Sequence, residues 1–118
     1  MKIFLFFMCV FLGAPAFAQD NPESYYRDKF CSKIGGQTEY PLPDGTRVDC
    51  LAQNRAYEVE FADKWAEAIG QSLHYARMTK RQPGIVIVVK TLPDVRFLNR
   101  LVNVVVSQGL DIEVIILY

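Results

Sequence analysis

A buried strand in the second half of the chain places the strongest constraint on the fold. Every residue from Ile85 to Val89 is apolar, as expected of a central strand that is covered on both faces. A second, largely apolar segment runs from Ile112 to Leu117, and between the two Leu92-Pro93-Asp94 opens a segment with apolar residues at helical spacing. A strand, helix and strand of this length predict a right-handed parallel crossover. The chain should therefore build a sheet with helices on its faces.

The first residues have the pattern of a signal peptide. Lys2 precedes an apolar run from Ile3 to Leu12, and Ala16-Phe17-Ala18 supplies an A-x-A cleavage pattern. The apolar run is too short to serve as a permanent transmembrane anchor. Residues 1–18 are therefore predicted to be removed. Residues 19–118 should form one exported domain, periplasmic or secreted, with no membrane anchor after cleavage.

The charge balance does not indicate a strongly basic nucleic-acid binder. The chain has 13 basic and 13 acidic side chains, and loss of Lys2 with the leader leaves a net charge of −1. Any contact with DNA or RNA would need a local basic patch. A solvated surface is the commoner role of such residues, but six of them could supply a patch: Arg77, Lys80, Arg81, Lys90, Arg96 and Arg100.

Two cysteines, Cys31 and Cys50, remain after removal of the leader. In an oxidising compartment such a pair favours a disulfide, which would close a loop of 19 residues and stabilise the domain by ~3 kcal/mol in the chain-entropy model. Two buried free thiols are the alternative, because spacing alone does not show whether the Cβ atoms meet.

The order of elements predicted along residues 19–118 is α-β-β-β-α-β-α-β. Asn21, Pro22 and Glu23 favour the start of a helix, and Gly35-Gly36 favours its end. Three strands are expected at 37–42, 46–52 and 55–61, and a helix at 63–79. The last strand–helix–strand unit completes a mixed α/β sheet.

The register of the second hairpin brings acidic residues together. If Gln53-Asn54 is a two-residue loop, Asp49 lies directly opposite Glu58, with Cβ atoms ~4.5–5.5 Å apart. The same register places Arg47 opposite Glu60, as an ordinary cross-strand ion pair.

The first hairpin adds a third carboxylate. If residues 43–45 form a three-residue loop, Glu39 also lies opposite Asp49, in line with Glu58. Carboxylates this close repel one another unless a cation neutralises them. A hard ion such as Mg²⁺ binds one or two carboxylates and leaves room for water and phosphate. A magnesium site and a solvated acidic strand face are the two interpretations of this spacing.

The helix after the third strand directs polar side chains toward the same place. Lys64, Gln71 and Tyr75 fall within one stripe of the helix, beside an apolar stripe that should pack on the sheet. Lys64 comes four residues after Glu60, so its ammonium could stabilise charge developing on a phosphate or orient an attacking water. A surface lysine is the alternative.

Together these residues resemble the PD-(D/E)XK nuclease superfamily, the restriction-endonuclease-like proteins. That family has an αβββαβ core and a motif of an acidic residue, an Asp and an E-x-K triplet. Asp49 resembles the central Asp, Glu58-Val59-Glu60 occupies the triplet, and Glu39 resembles the upstream acid. The segment from Gln71 to Tyr75 is similar to the Q-x-x-x-Y signature of one subgroup, typical of helicase-associated exonuclease domains.

The resemblance implies a restriction-endonuclease-like fold and a nuclease that uses Mg²⁺ or Mn²⁺ to hydrolyse phosphodiester bonds, with DNA favoured over RNA. Glu60 stands where the family has its lysine, so Lys64 would be a relocated replacement. A catalytically weak or inactive exported binding module with the same fold is the alternative function. The implied roles are catalysis for Asp49, Glu58 and Lys64; metal binding for Glu39, Asp49, Glu58 and the Val59 carbonyl; substrate positioning for Gln71 and Tyr75; and auxiliary roles for Glu60 and Arg47.

Overall fold

The computed structural model describes residues 5–6 and 20–118 of the chain. The predicted signal peptide, residues 1–18, lies outside the described residues except for Leu5 and Phe6, whose backbone forms a short strand, β1. The removal of the leader stays a prediction.

Three helices and five longer strands follow β1 in the predicted order. Within residues 20–118, none of the helices has the length and apolar content needed to cross a bilayer. Two 3₁₀ turns, Ala62–Lys64 and Leu92–Asp94, lead into the second and third helices. The elements are α1 (Glu23–Ile34), β2 (Gln37–Pro41), β3 (Arg47–Leu51), β4 (Arg55–Phe61), α2 (Trp65–Thr79), β5 (Gln82–Val88), α3 (Val95–Ser107) and β6 (Glu113–Leu117).

The strands form one open, mixed sheet in the order β1-β6-β5-β4-β3-β2. Strands β2, β3 and β4 form an antiparallel meander, whereas β4, β5 and β6 run parallel to one another. β1 pairs with the outer edge of β6 in the parallel sense. The prediction of a mixed α/β sheet is therefore confirmed.

The helices cover both faces of the sheet, because side chains of a strand alternate between its two sides. In β5 and just beyond it, Ile85, Ile87 and Val89 pack in one core with residues of α2 and α3. Val86 and Val88 pack in a second core with residues of α1. The apolar run is thus buried on both faces, as its sequence predicts.

A disulfide joins α1 to the sheet. Cys31 and Cys50 are bonded, with their Cα atoms 5.6 Å apart, and both are fully buried. Gly36 lies against the bond: a Cβ at that position would come within 2.5 Å of the Cys50 sulfur and 2.9 Å of the Cys31 sulfur. The disulfide fixes α1 on β3, one residue away from Asp49.

Strand β5 begins earlier than predicted, because Gln82-Pro83-Gly84 pairs with β4 instead of forming only a break after α2. The Arg55 guanidinium donates to the Pro83 carbonyl at 2.6 Å. The ring of Tyr57 fills the space beside Gly84, where a Cβ would meet it at 2.5 Å. Tertiary packing thus keeps a Pro-Gly dipeptide within a strand.

Candidate metal centre

The β3–β4 hairpin has the register predicted from its two-residue turn. Cys50 pairs with Tyr57, so Asp49 and Glu58 occupy the next opposed position. There Asp49 Oδ2 accepts a hydrogen bond from the backbone N–H of Val59 at 2.8 Å. Two acidic side chains from neighbouring strands therefore meet at the end of the paired region.

Glu58 and Glu60 are both buried, although they are acidic, with only 2% and 5% of their surfaces exposed. Burial, the charge of Asp49 and a hydrogen bond to Asp49 raise the pKa of Glu58 far above its usual range. Burial, followed by a hydrogen bond to Glu23, raises the pKa of Glu60 to about 8. Burial also raises the pKa of Asp49, although the N–H of Val59 opposes this shift. The site therefore holds protons near neutral pH unless a cation replaces them.

Helix α2 supplies Gln71 and Tyr75 to the same place. With its amide nitrogen turned toward Glu58, Gln71 donates hydrogen bonds to both carboxylate oxygens, at 2.7 and 3.0 Å. Tyr75 is buried, and burial followed by the charges of Glu58 and Asp49 raises the pKa of its phenol. Both residues predicted to position substrate thus adjoin the acidic group, and Gln71 fixes the orientation of Glu58.

Glu23, in the first turn of α1, also belongs to this group. Carboxylate oxygens of Glu23, Glu58 and Glu60 all lie within 4.8 Å of one another, a spacing that one metal ion could bridge. From the sequence, Glu23 is predicted only to be a favourable charge at a helix start. Its spacing could have identified it: Tyr26 and Phe30, three and seven residues later, are buried, so Glu23 lies on the face of the helix that meets the sheet.

Lys64 lies in the 3₁₀ turn between β4 and α2 and is exposed. Its positive charge opposes the rise in the pKa of Glu60, which places the ammonium within electrostatic range of that carboxyl. Lys64 is therefore a basic residue at the β4–α2 junction whose charge acts on the acidic group.

Glu39 is not among the carboxylates whose oxygens lie within 4.8 Å of one another, although its charge helps to raise the pKa of Asp49. The β2–β3 register is as predicted and puts Glu39 at the position opposite Asp49. Glu39 has a left-handed backbone, with φ of 54°, while the pairing of β2 with β3 keeps the same register on both sides of it. Its carboxylate forms ion pairs with Arg27 and with Arg47.

The expected ion pair between Arg47 and Glu60 is also absent from the described residues. The Arg47 side chain is 66% exposed and lies 3.4 Å from the Glu39 carboxylate. Glu60 is buried and lies beside Glu23 and Glu58. The backbone pairing of β3 with β4 ends before this position, so the strands do not hold Arg47 and Glu60 together.

The residues present fit a hard divalent cation. Glu60 Oε1 is buried and has no hydrogen-bond partner within the described part of the chain. Carboxylate oxygens are the ligands that Mg²⁺ and Mn²⁺ prefer, and a buried carboxylate oxygen without a partner is costly. Val59 contacts the site through its N–H, and metal binding by its carbonyl stays a prediction.

Comparisons of the chain with family models, with curated proteins and with solved structures find no match. The resemblance to the PD-(D/E)XK nucleases therefore rests on Asp49, the triplet from Glu58 to Glu60, and the segment from Gln71 to Tyr75.

Proposed function

We propose that this domain is an exported, metal-dependent nuclease with a restriction-endonuclease-like fold. The observation that carries the proposal is the convergence of Glu23, Glu58 and Glu60, whose carboxylate oxygens lie within 4.8 Å of one another, with Glu60 Oε1 buried and without a partner among residues 20–118. Burying several carboxylates together is unfavourable unless protons or a cation neutralise them. A divalent cation would neutralise the negative charge and would coordinate Glu60 Oε1.

The arrangement of elements supports the restriction-endonuclease-like fold. Helix α1 is followed by the antiparallel meander β2-β3-β4, then by α2 and by β5, which is parallel to β4. This is the αβββαβ order of that family. Asp49 on β3 and Glu58 on β4 lie at opposed positions. The family motif has its Asp and the first acid of its triplet on the corresponding strands.

Glu23 from α1 and Glu58 and Glu60 from β4 would offer carboxylate oxygens to the cation. Asp49 from β3, which lies opposite Glu58, would add the ligand that the family motif implies. A divalent cation bound there would polarise a phosphate oxygen and lower the pKa of a coordinated water. Gln71 would orient one of the metal ligands, because its two hydrogen bonds hold the Glu58 carboxylate in one orientation.

Lys64 and Tyr75 would act on the substrate. Lys64 would replace the lysine that the Glu58-Val59-Glu60 triplet lacks. Its ammonium would stabilise negative charge on the phosphate or orient the attacking water. The phenol of Tyr75 stays protonated at neutral pH, since its pKa is raised, so it would donate a hydrogen bond to a phosphate or to water.

Two features support export. Residues 1–18 have the pattern of a signal peptide. The Cys31–Cys50 disulfide is of the kind that persists in the periplasm or outside the cell. The substrate would be nucleic acid met in that compartment, with DNA favoured over RNA.

The test is nuclease activity of the processed, oxidised protein on single-stranded DNA, double-stranded DNA and RNA, in Mg²⁺, in Mn²⁺ and in EDTA. Metal-dependent cleavage should be lost in Asp49→Ala, whereas Lys64→Ala should reduce kcat far more than it changes Mn²⁺ affinity. Lys29→Gln, which removes an exposed charge on α1, serves as the control and should retain full activity.

The other outcomes separate the alternatives. Cleavage that persists unchanged in Asp49→Ala would show that the acidic group around Asp49 and Glu58 is not the active site. Mn²⁺ binding without cleavage of any of the three substrates would instead indicate a binding module that keeps the fold and has lost the chemistry.

A further inference from the structure

Arg27 lies beside the candidate metal centre but has no role in the sequence motif. It follows Glu23 by four residues, so the two side chains share one face of α1. The Arg27 side chain is only 21% exposed, and its guanidinium contacts Asp28 at 2.9 Å and Glu39. Hydrogen bonding to Asp28 raises the pKa of Arg27, and the charges of Glu39 and Asp49 act in the same direction, which places Arg27 within range of Asp49.

Glu39 has an unfavourable backbone conformation where it contacts Arg27. A glutamate with φ of 54° within a strand is uncommon, and such residues persist where the surrounding structure holds them. Glu39 stands opposite Asp49 in the register of β2 and β3, so it holds the Arg27 guanidinium at the edge of the acidic group. The contact positions a cation on the side of the site formed by α1.

Arg27 is not needed as the counter-ion of the buried carboxylates. Its own charge is balanced by Asp28 and Glu39, which lie closest to Nε and Nη1. A guanidinium carries five N–H donors in a planar fork that matches the oxygens of a phosphate. A guanidinium held this way, next to a candidate metal site, has the chemistry of a phosphate clamp.

We propose that Arg27 is a phosphate-binding residue of this site: its guanidinium, positioned by Glu39, binds a backbone phosphate of a nucleic-acid strand at the metal centre. The proposal rests on the proposed function for the nature of the substrate. It also gives Glu39 a role, as the residue that positions Arg27 and not as a metal ligand. Arg27 and Lys64 would then approach the phosphate from different elements, α1 and the β4–α2 junction.

The test compares Arg27→Gln and Arg27→Lys with the unaltered processed protein and with Lys29→Gln, which removes a charge from the exposed face of the same helix. Mn²⁺ affinity is measured by calorimetry. Binding of a short fluorescein-labelled oligothymidylate is measured by anisotropy in Ca²⁺ over a range of salt concentrations, and a gel checks that the oligonucleotide stays intact. Thermal melting reports whether each variant is folded.

Arg27→Gln should bind the oligonucleotide about tenfold more weakly, as loss of one charge-assisted contact predicts. The slope of log affinity against log salt should become shallower by about 0.7, the value for one phosphate contact on a single strand. Mn²⁺ affinity should not fall. Arg27→Lys should restore the salt slope but only part of the affinity, because an ammonium lacks the planar fork. Lys29→Gln should match the unaltered protein.

Three results would overturn the proposal: oligonucleotide binding by Arg27→Gln equal to that of the unaltered protein, no oligonucleotide binding by the unaltered protein, or a parallel loss of Mn²⁺ and oligonucleotide binding in Arg27→Gln. If Arg27→Gln does not fold, Arg27→Lys decides, since full affinity in that variant would exclude a bidentate clamp. Oligonucleotide binding that depends on Arg27 in a protein that cleaves nothing would contradict the nuclease and leave the role of Arg27 intact.

Discussion

Asp49 Oδ2 accepts the backbone N–H of Val59 at 2.8 Å, and Val59 lies between the two buried acids of β4, Glu58 and Glu60. One hydrogen bond thus ties the carboxylate of β3 to the strand that carries the rest of the acidic group. Asp49 therefore has two properties at this position: it carries a negative charge and it accepts a hydrogen bond. Substitution by Asn removes only the charge, whereas substitution by Ala removes both.

Asp49→Asn should stabilise the metal-free protein, because it removes a charge from the acidic group while its amide oxygen can still accept the Val59 N–H. Asp49→Ala leaves that buried N–H without its partner and should lower the free energy of unfolding by about 1–3 kcal/mol. Urea unfolding in EDTA measures both changes.

Added Mg²⁺ or Mn²⁺ should raise the melting temperature of the unaltered protein but not of Asp49→Asn. A metal-induced gain of the same size in both proteins would exclude Asp49 as a ligand.

Metal binding should release protons. At neutral pH the carboxyls of Glu58 and Glu60 retain protons, since burial raises the pKa of both groups, that of Glu60 to about 8. A cation must displace these protons to reach the oxygen atoms, so the apparent Mn²⁺ affinity should rise as the pH increases through about 8. Calorimetry in buffers of different ionisation enthalpy counts the protons. Identical enthalpies in all buffers and an affinity independent of pH would contradict the raised pKa values.

Without metal, the protein should become less stable as the pH rises through the range from 4.5 to about 8. Above its ordinary pKa of 4.5, Glu60 loses its proton in the unfolded chain but keeps it in the folded domain until about pH 8. The folded state binds more protons in this window, so the free energy of unfolding falls with increasing pH. Urea midpoints in EDTA measure the slope, and Glu60→Gln should make it flatter. An equal slope in both proteins would assign the pH dependence to other groups.

Gly36→Ala should destabilise the oxidised protein, because the added Cβ would lie 2.5 Å from the Cys50 sulfur. Overpacking of this kind costs about 1–3 kcal/mol. Gly70→Ala is the matched control: nothing lies within 4 Å of its added Cβ on α2, so the substitution should stabilise the helix by about 0.5–1 kcal/mol. Urea unfolding of the oxidised proteins compares them. A neutral Gly36→Ala would show that the connection between α1 and β2 can move away from the disulfide without cost.

Short-range rules were sufficient for much of the framework. The two-residue turn after β3 fixed the register that brings Asp49 opposite Glu58, because hairpin loop length determines which residues face each other. The apolar run of β5 predicted a strand buried on both faces, and α2 presented Gln71 and Tyr75 together because helical spacing puts them one turn apart. The sequence leaves a disulfide and two free thiols as alternatives, since bonding of Cys31 and Cys50 requires their Cα atoms to approach, here to 5.6 Å.

The sequence by itself thus determined the order of elements, the two hairpin registers and the acidic residues of β3 and β4, because each depends on residues close together in the chain. The tertiary structure alone decided which other side chains reach that site. Glu23 enters it because packing and the Cys31–Cys50 bond dock α1 against the sheet in one orientation. Glu39 forms an ion pair with Arg27, which α1 brings over β2. Neither placement follows from local spacing, since each depends on how α1 packs against the sheet.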